Sequence, residues 1–226
     1  MDFHTLEQNY HNFLSTLPKT NPYGEKITVV GACKTQPVTI INHVIGLGLK
    51  DVGENRAQEF RDKLDHLLPC NYHFIGRLQS NKIKYLIGKV HLIHSVDSLN
   101  LAKEISRQSK NANVTTNILL EVNFGEAQKG GFPLDGLQKA YNDIASLDNI
   151  CVKGLMAVMP NVDNINLMRE NCLQLRRIYD IMRKTNENIT VLSMGMSNDY
   201  QLAIECGSNM IRIGTKIFGQ RNYNGV

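Results

Sequence analysis

The chain has 226 residues, 42% of them apolar and 20% charged, with a formal net charge of +4. That length bounds it to one large domain or two small ones, with enough apolar residues for a sizeable core. The mild charge contains no block of like charges that would mark a nucleic-acid surface, and no apolar run approaches the roughly 20 residues a transmembrane helix needs.

Leu6, Tyr10, Phe13, Leu14 and Leu17 recur at helical spacing and predict an opening amphipathic helix. Ile27–Cys33 reads as a buried strand. Pro37 suits the first turn of a helix carrying Val38, Ile41, Ile45 and Gly48 on one face. Asp51–Gly53 is a short second strand. Asn55 is placed to cap the next helix, with Gln58 at capping-box spacing and Ala57, Phe60, Leu64 and Leu67 along its face. Tyr72–Ile75 is the third strand, and Ser80–Ile87 a short helix ending at Gly88. The basic stretch from Arg77 to Lys89 reads as a solvated helix face.

Val90–His94 is predicted as the fourth strand, with Asp97 capping a helix through Leu99, Ala102 and Ile105. Ile118–Val122 is the fifth strand, followed by Leu134, Leu137, Tyr141 and Ile144 at helical spacing. Val152–Val158 is the sixth, and the longest helix carries Ile165, Met168, Cys172, Leu175, Tyr179 and Met182. Thr190–Ser193 and Met210–Ile213 are the seventh and eighth strands, with a helix at Tyr200–Glu205 between them.

Eight strands alternating with helices, behind an extra N-terminal helix, match a (β/α)8 TIM barrel of the α/β class. A doubly wound sheet is the alternative. It is disfavoured because no Gly-x-Gly-x-x-Gly follows the first strand. No linker composition divides the chain, so residues 1–226 read as a single domain. The cysteines Cys33, Cys70, Cys151, Cys172 and Cys206 are odd in number and lack a Cys-x-x-Cys pair, which speaks against a disulfide framework and a zinc site. Reduced thiols in a cytoplasmic protein are the simplest account. The early acid at Asp2 is unlike a signal peptide.

The chemistry-bearing residues gather at predicted strand ends. Leu192–Asp199 and Asn209–Thr215 are apolar runs that break into Gly, Ser and Thr. Backbone N–H groups at such breaks, with Ser193, Ser197 and Thr215 beside them, are materials for a phosphate cradle. They follow the last two strands, where barrels commonly hold phosphate.

Residues 28, 30, 32 and 34 share one side of the first strand, so small residues lead to Lys34 at its C-terminal end. That position is either a desolvated, nucleophilic amine or a lysine leaving the strand for solvent. Arg212 alternates with Ile211 and Ile213, and if those two meet the outer helices it points into the barrel. It is either a structural ion pair, with Glu54 or Glu121, or a donor to a ligand. A phosphate site, an inward arginine and a strand-end lysine together suggest a phosphorylated carbonyl cofactor held as a Schiff base.

Asn55 is a helix cap or a ligand, and His73 a core histidine or a ligand. Met156, Met159, Met194 and Met196 flank the same end, as core packing or as apolar walls for a flat ring.

The ordered motifs are Lys34-Thr35 with Pro37, Gly53-Glu-Asn55 with Gln58-Glu59, and His73-Phe-Ile-Gly76 with Leu78-Gln-Ser-Asn-Lys82. His94-Ser-Val-Asp97, Gly154-Leu-Met156, Leu192-Ser-Met-Gly-Met-Ser197, and Arg212-Ile-Gly-Thr215 with Ile217-Phe-Gly219 follow. Over about residues 27 to 223 the chain resembles the pyridoxal phosphate homeostasis proteins, single-domain relatives of the alanine racemase N-terminal barrel. Cys33 stands where that family often has serine, and Asn198 where it often has aspartate.

The resemblance implies that Lys34 holds pyridoxal 5′-phosphate as a Schiff base, and that Ser193, Ser197, Gly214 and Thr215 surround the phosphate. Asn55, His73 and Met194 complete the cofactor-binding set, and Arg212 faces the pyridine nitrogen and keeps it unprotonated, weakening the ring as an electron sink. The larger racemases take a second base, a tyrosine, from a partner subunit with an added β domain, for which a chain ending at Val226 leaves no room.

The expected function is therefore a cofactor carrier that stores, buffers or hands over pyridoxal phosphate, with apo pyridoxal-phosphate enzymes as recipients, rather than a catalyst. A weak amino-acid racemase is the second reading, and a Schiff-base aldolase barrel using Lys34 on sugar phosphates the third. A monomer is expected.

Overall fold

A computed structural model of the protein describes residues 2–126, 128–160 and 164–220. Residues 221–226, which include the last residues of the family resemblance and of the expected single domain, lie outside the described residues. The strands are β1 (Thr28–Ala32), β2 (Asp51–Glu54), β3 (Asn71–Phe74), β4 (Leu92–Val96), β5 (Thr116–Asn123), β6 (Phe132–Pro133), β7 (Ile150–Ala157), β8 (Val191–Ser193) and β9 (Met210–Ile213). Eight of them form a parallel ring, β1 to β5 followed by β7, β8 and β9. The ring closes through the β4–β5 and β1–β9 pairings. This is the (β/α)8 barrel. The two-residue β6 sits outside the ring on the end of β5 and was not expected from the sequence.

The helices are α1 (Phe3–Ser15), α2 (Val38–Gly46), α3 (Ala57–Leu64), α4 (Leu99–Asn111), α5 (Leu137–Ala145), α6 (Ile165–Thr185), α7 (Tyr200–Glu205) and α8 (Thr215–Phe218). α1 precedes the barrel, with Asp2 accepting a hydrogen bond from Thr5 N–H as its cap. Its buried face, Leu6, Tyr10 and Phe13, joins Ile41, Val44, Ile211, Ile213 and Ile217 in one apolar cluster. The Ser80–Tyr85 segment is a 3-10 turn rather than an α-helix.

Two predicted caps shift by one residue. Arg56 precedes α3 and makes no side-chain cap bond, so Asn55 is not its cap. Ser98, not Asp97, caps α4 and accepts from Leu101 N–H. In both cases the strand-end loop runs one residue further before the helix begins. At Asn55 the backbone is pressed by Gly76, where any Cβ would stand 2.1 Å from the Asn55 carbonyl oxygen.

Strand alternation divides the core. Outward residues pack under the helices, and inward Val30, Leu92, Leu119, Met156 and Met210 form a separate apolar cluster inside the ring. β8 and β9 share one register pair, Ser193 with Met210. Side chains complete that seam. The Ser208 hydroxyl donates toward the Leu192, Met194 and Met210 carbonyls. Asn209 accepts from Leu192 N–H and donates to the Thr190 carbonyl. No helix among the described residues is long and apolar enough to cross a membrane.

Candidate functional site

Lys34 leaves the C-terminal end of β1 in a turn held from outside the barrel. Thr35, the next residue, has φ +65°, a left-handed conformation unusual for a β-branched side chain. Its N–H is received by a Glu59 carboxylate oxygen at 3.0 Å. Glu59 pairs in turn with Lys63, and Lys63 with the buried Glu54. Burial pushes the Glu54 carboxyl up, and Lys63 offsets only part of that shift. The Cys33 thiol points to the same outer side and donates to Glu54 and to the Gly53 carbonyl. Glu54 therefore belongs to the support of the Lys34 turn, and it is not the partner of Arg212 that the sequence allowed.

Across the barrel mouth, β8 turns into α7 through Gly195 at φ +97°. A Cβ there would meet the Ala203 Cβ at 2.7 Å, so the turn needs glycine. The β9 turn approaches it, and Gly214 N–H donates to the Ser197 hydroxyl at 3.2 Å, tying the two loops together. Lys34, Ser197, Arg212, Gly214 and Thr215 line one cavity of about 790 Å3. Met159 and Met196 supply apolar wall, and Lys129, Arg169 and Asp199 add charge at its rim.

Arg212 is buried at the cavity floor. One terminal nitrogen donates to the Ser193 carbonyl at 3.0 Å and to the Ser193 hydroxyl at 2.6 Å, and the other donates to the Ala157 carbonyl at 2.9 Å. Among the described residues its partners are two carbonyls and a hydroxyl, not a carboxylate. Burial lowers its pKa to about 10, with Asp199 and Glu121 pulling upward, so the guanidinium stays charged at neutral pH. The inward β5 residue Glu121 carries the complementary perturbation. Burial and then Asp97 raise its carboxyl to about 7, against Arg212, Arg77 and Lys129.

The remaining expected residues fall elsewhere. Ser193 lies beneath Arg212 and does not line the cavity. Met194 is fully buried in the main apolar cluster under the helices, so its side chain is core rather than wall. Met156 fills the barrel interior. The Asn55 side-chain oxygen is buried without a hydrogen-bond partner and does not line the cavity. His73 is buried inside the ring, bonded to Asp51 and His94. Sequence reasoning missed Lys129, Asp199, Ser208 and Asn209. The last two were readable as polar residues at the start of an apolar strand.

The fold and this constellation define a class, the barrel of alanine racemase-like proteins. The profile described as "Alanine racemase, N-terminal domain" matches residues 4–222. The "Pyridoxal phosphate homeostasis protein" of Aquifex aeolicus is 44% identical over 86% of this chain and 87% of its own. That of Escherichia coli K12 is 31% identical over 98% and 97%. The structure of PipY of Synechococcus elongatus PCC7942, titled as having PLP bound, is 28% identical, with a TM-score of 0.83 over 95% of this chain and 100% of that one. An alanine racemase of Clostridium difficile 630 shares the fold at 15% identity and a TM-score of 0.80, with 58% of its chain covered. The chain belongs to the pyridoxal phosphate homeostasis protein family.

Proposed function

We propose that this chain binds pyridoxal 5′-phosphate in the cavity between Lys34 and the β8 and β9 turns, linked to Lys34 as a Schiff base, and serves to buffer or deliver it. The observation that carries the reading is the convergence of a strand-end lysine, a buried arginine and two hydroxyl- and glycine-bearing turns on one cavity. The names of the relatives and the PLP-bound structure of PipY support it.

The residues present fit the group. Lys34 offers the amine. Ser197, Gly214 and Thr215 offer hydroxyl and backbone donors for an anion. Arg212, charged and held on three sides, offers its remaining N–H groups toward the cavity. When bound, the cofactor supplies an electrophilic aldehyde carbon and a ring that withdraws electrons. A charged guanidinium such as Arg212, were it to meet the ring nitrogen, would leave that nitrogen without a proton, which would favour holding the cofactor over carbanion chemistry.

The test is the visible absorption of protein reconstituted with pyridoxal phosphate, followed by borohydride reduction and mass mapping. The added mass is expected on Lys34, and Lys34→Ala should lose the trapped adduct while keeping its circular dichroism. An adduct mapped to Lys129, the other lysine of the cavity, overturns the Lys34 assignment. Delivery is tested by the rate at which the loaded protein activates an apo pyridoxal-phosphate enzyme. A rate no faster than spontaneous release refutes delivery.

A further inference from the structure

Below the cavity a file of polar side chains crosses the barrel interior, and the proposed function uses only its upper end. Asp51 opens β2. Its carboxylate lies 3.0 Å from His73 Nε2, and His73 Nδ1 lies 2.9 Å from His94 Nε2. His94 Nδ1 lies 3.1 Å from the Ser193 hydroxyl, which already accepts from Arg212. His73, His94, Ser193 and Arg212 are all buried.

Each imidazole nitrogen in this file faces one partner, so the chemistry at one end dictates the other. A carboxylate only accepts, and Nε2 of His73 must then carry the proton. In a neutral His73 ring, Nδ1 is the acceptor, and it can take only the Nε2 proton of His94. Nδ1 of His94 is left as an acceptor, and the only proton available to it is that of the Ser193 hydroxyl. Every hydrogen bond then points the same way, from the arginine through serine and two histidines to the aspartate.

We propose that Asp51, His73 and His94 are a positioning relay for Arg212, in which the Asp51 carboxylate places the proton of both imidazoles on Nε2 and turns the Ser193 hydroxyl toward His94, leaving the Ser193 oxygen to hold the guanidinium. The reverse polarity would put a second proton on the Ser193–Arg212 side and leave the hydroxyl without an acceptor.

The charge states agree with this geometry. Burial, with the nearby Arg212 charge adding to it, holds His94 well below the ordinary imidazole range, so its ring is neutral. Burial raises the Asp51 carboxyl, but bonds from His73 and Asn71 outweigh it and keep the group below its ordinary value.

The test uses the full-length chain without cofactor, labelled with 15N-histidine, and reads tautomers from long-range 1H–15N correlations near neutral pH. His73 and His94 should each show a protonated Nε2 and an unprotonated Nδ1, assigned by loss of signals in His73→Gln and His94→Gln. A proton on Nδ1 of either ring, or an imidazolium, overturns the proposal, and where a variant does not fold the same rings are assigned in the parent chain by their mutual contacts with Asp51 and Ser193.

Variants then separate positioning from filling. Glutamine at position 73 can accept from His94 and donate to Asp51 in the same sense, whereas leucine cannot. His73→Leu and Asp51→Ala should lose the single His94 tautomer and broaden the resolved Arg212 guanidinium signals, and His73→Gln should restore both. An unchanged His94 tautomer and Arg212 spectrum in His73→Leu and Asp51→Ala would show that the file only fills space.

Discussion

Along β8, β9 and β1 the inward positions change from apolar to reactive within one strand length. Val30 and Met210 fill the interior, and Arg212 and Lys34, two and four residues further on, reach the cavity. Along β2, β3 and β4 the inward positions include Asp51, His73 and His94, and the file they form stays below the mouth. Both arcs obey the same two-residue alternation. They differ in where their polar groups are satisfied. The first arc points them at the cavity, and the second bonds them to one another. A buried titratable side chain is therefore evidence for a ligand only after its partners inside the ring have been counted.

The largest effect that would sharpen this contrast lies under the first arc. Arg176 of α6 is buried, pairs with Glu25 and Asp180, donates to the Gly207 carbonyl and stacks on Tyr23. It holds the segment leading from α7 into β9, whose end carries Arg212. Arg176→Ala breaks this whole buried network, leaving Glu25 with Arg183 as its remaining cation and the Gly207 carbonyl without this donor, and should cost about 3–5 kcal/mol in urea unfolding. A loss under 1 kcal/mol would mean that the cavity arc does not depend on this base.

Next is a carboxyl on β5, the strand beside the second arc, whose state pH exposes. Glu121 titrates at about 7 in the folded chain against an ordinary 4.5, so the folded state holds more protons than the unfolded between those values. Stability must then fall as pH rises through that window, by roughly 3 kcal/mol for this group. Glu121→Gln removes the titrating group, so its advantage over the parent should grow by that amount from pH 4 to pH 8. Parallel pH–stability curves would show that the carboxyl is not perturbed.

How much of this was legible depended on where the signal lay. Strand-end Gly, Ser and Thr runs and the alternation around Arg212 exposed the first arc, because turns and caps leave local marks. The eight-strand order was equally readable from periodicity. The second arc was not, because His73, His94 and Asp51 sit on different strands and meet only when the ring closes. Their inward parity is visible in the sequence, but the pairing of one strand with the next is not. Asn55 and Met194 entered the expected site through the family resemblance rather than through a local signal, and their side chains lie behind the residues that line the cavity, Asn55 in the loop before α3 and Met194 in the core.

A smaller effect tests the cradle itself. Ser197 and Thr215 line the cavity, whereas Cys33 faces Glu54 on the outer side. Each hydroxyl bond lost to a charged phosphate should cost about 1.5–3 kcal/mol of cofactor retention. Ser197→Ala combined with Thr215→Ala should therefore speed cofactor release on dilution far more than Cys33→Ser. Equal release rates would remove the cradle from the first arc.

The smallest expected effect concerns the strained turn beside Lys34. Thr35 holds φ +65°, and the left-handed region costs a non-glycine residue roughly 1–2 kcal/mol. Glycine removes that cost but adds about 0.5–1 kcal/mol of chain entropy to the unfolded state. Thr35→Gly should therefore stabilise the chain by about 0.5–1 kcal/mol, with its N–H still received by Glu59. Stored strain at a site is worth keeping only if it fixes the neighbouring group. If it fixes Lys34, the glycine variant should be more stable and yet trap pyridoxal phosphate more slowly, because the amine samples more orientations. A variant that is more stable and traps at the parental rate would show that the conformation of Thr35 serves the turn alone, and that Lys34 is aimed by Glu59 and Lys63 instead.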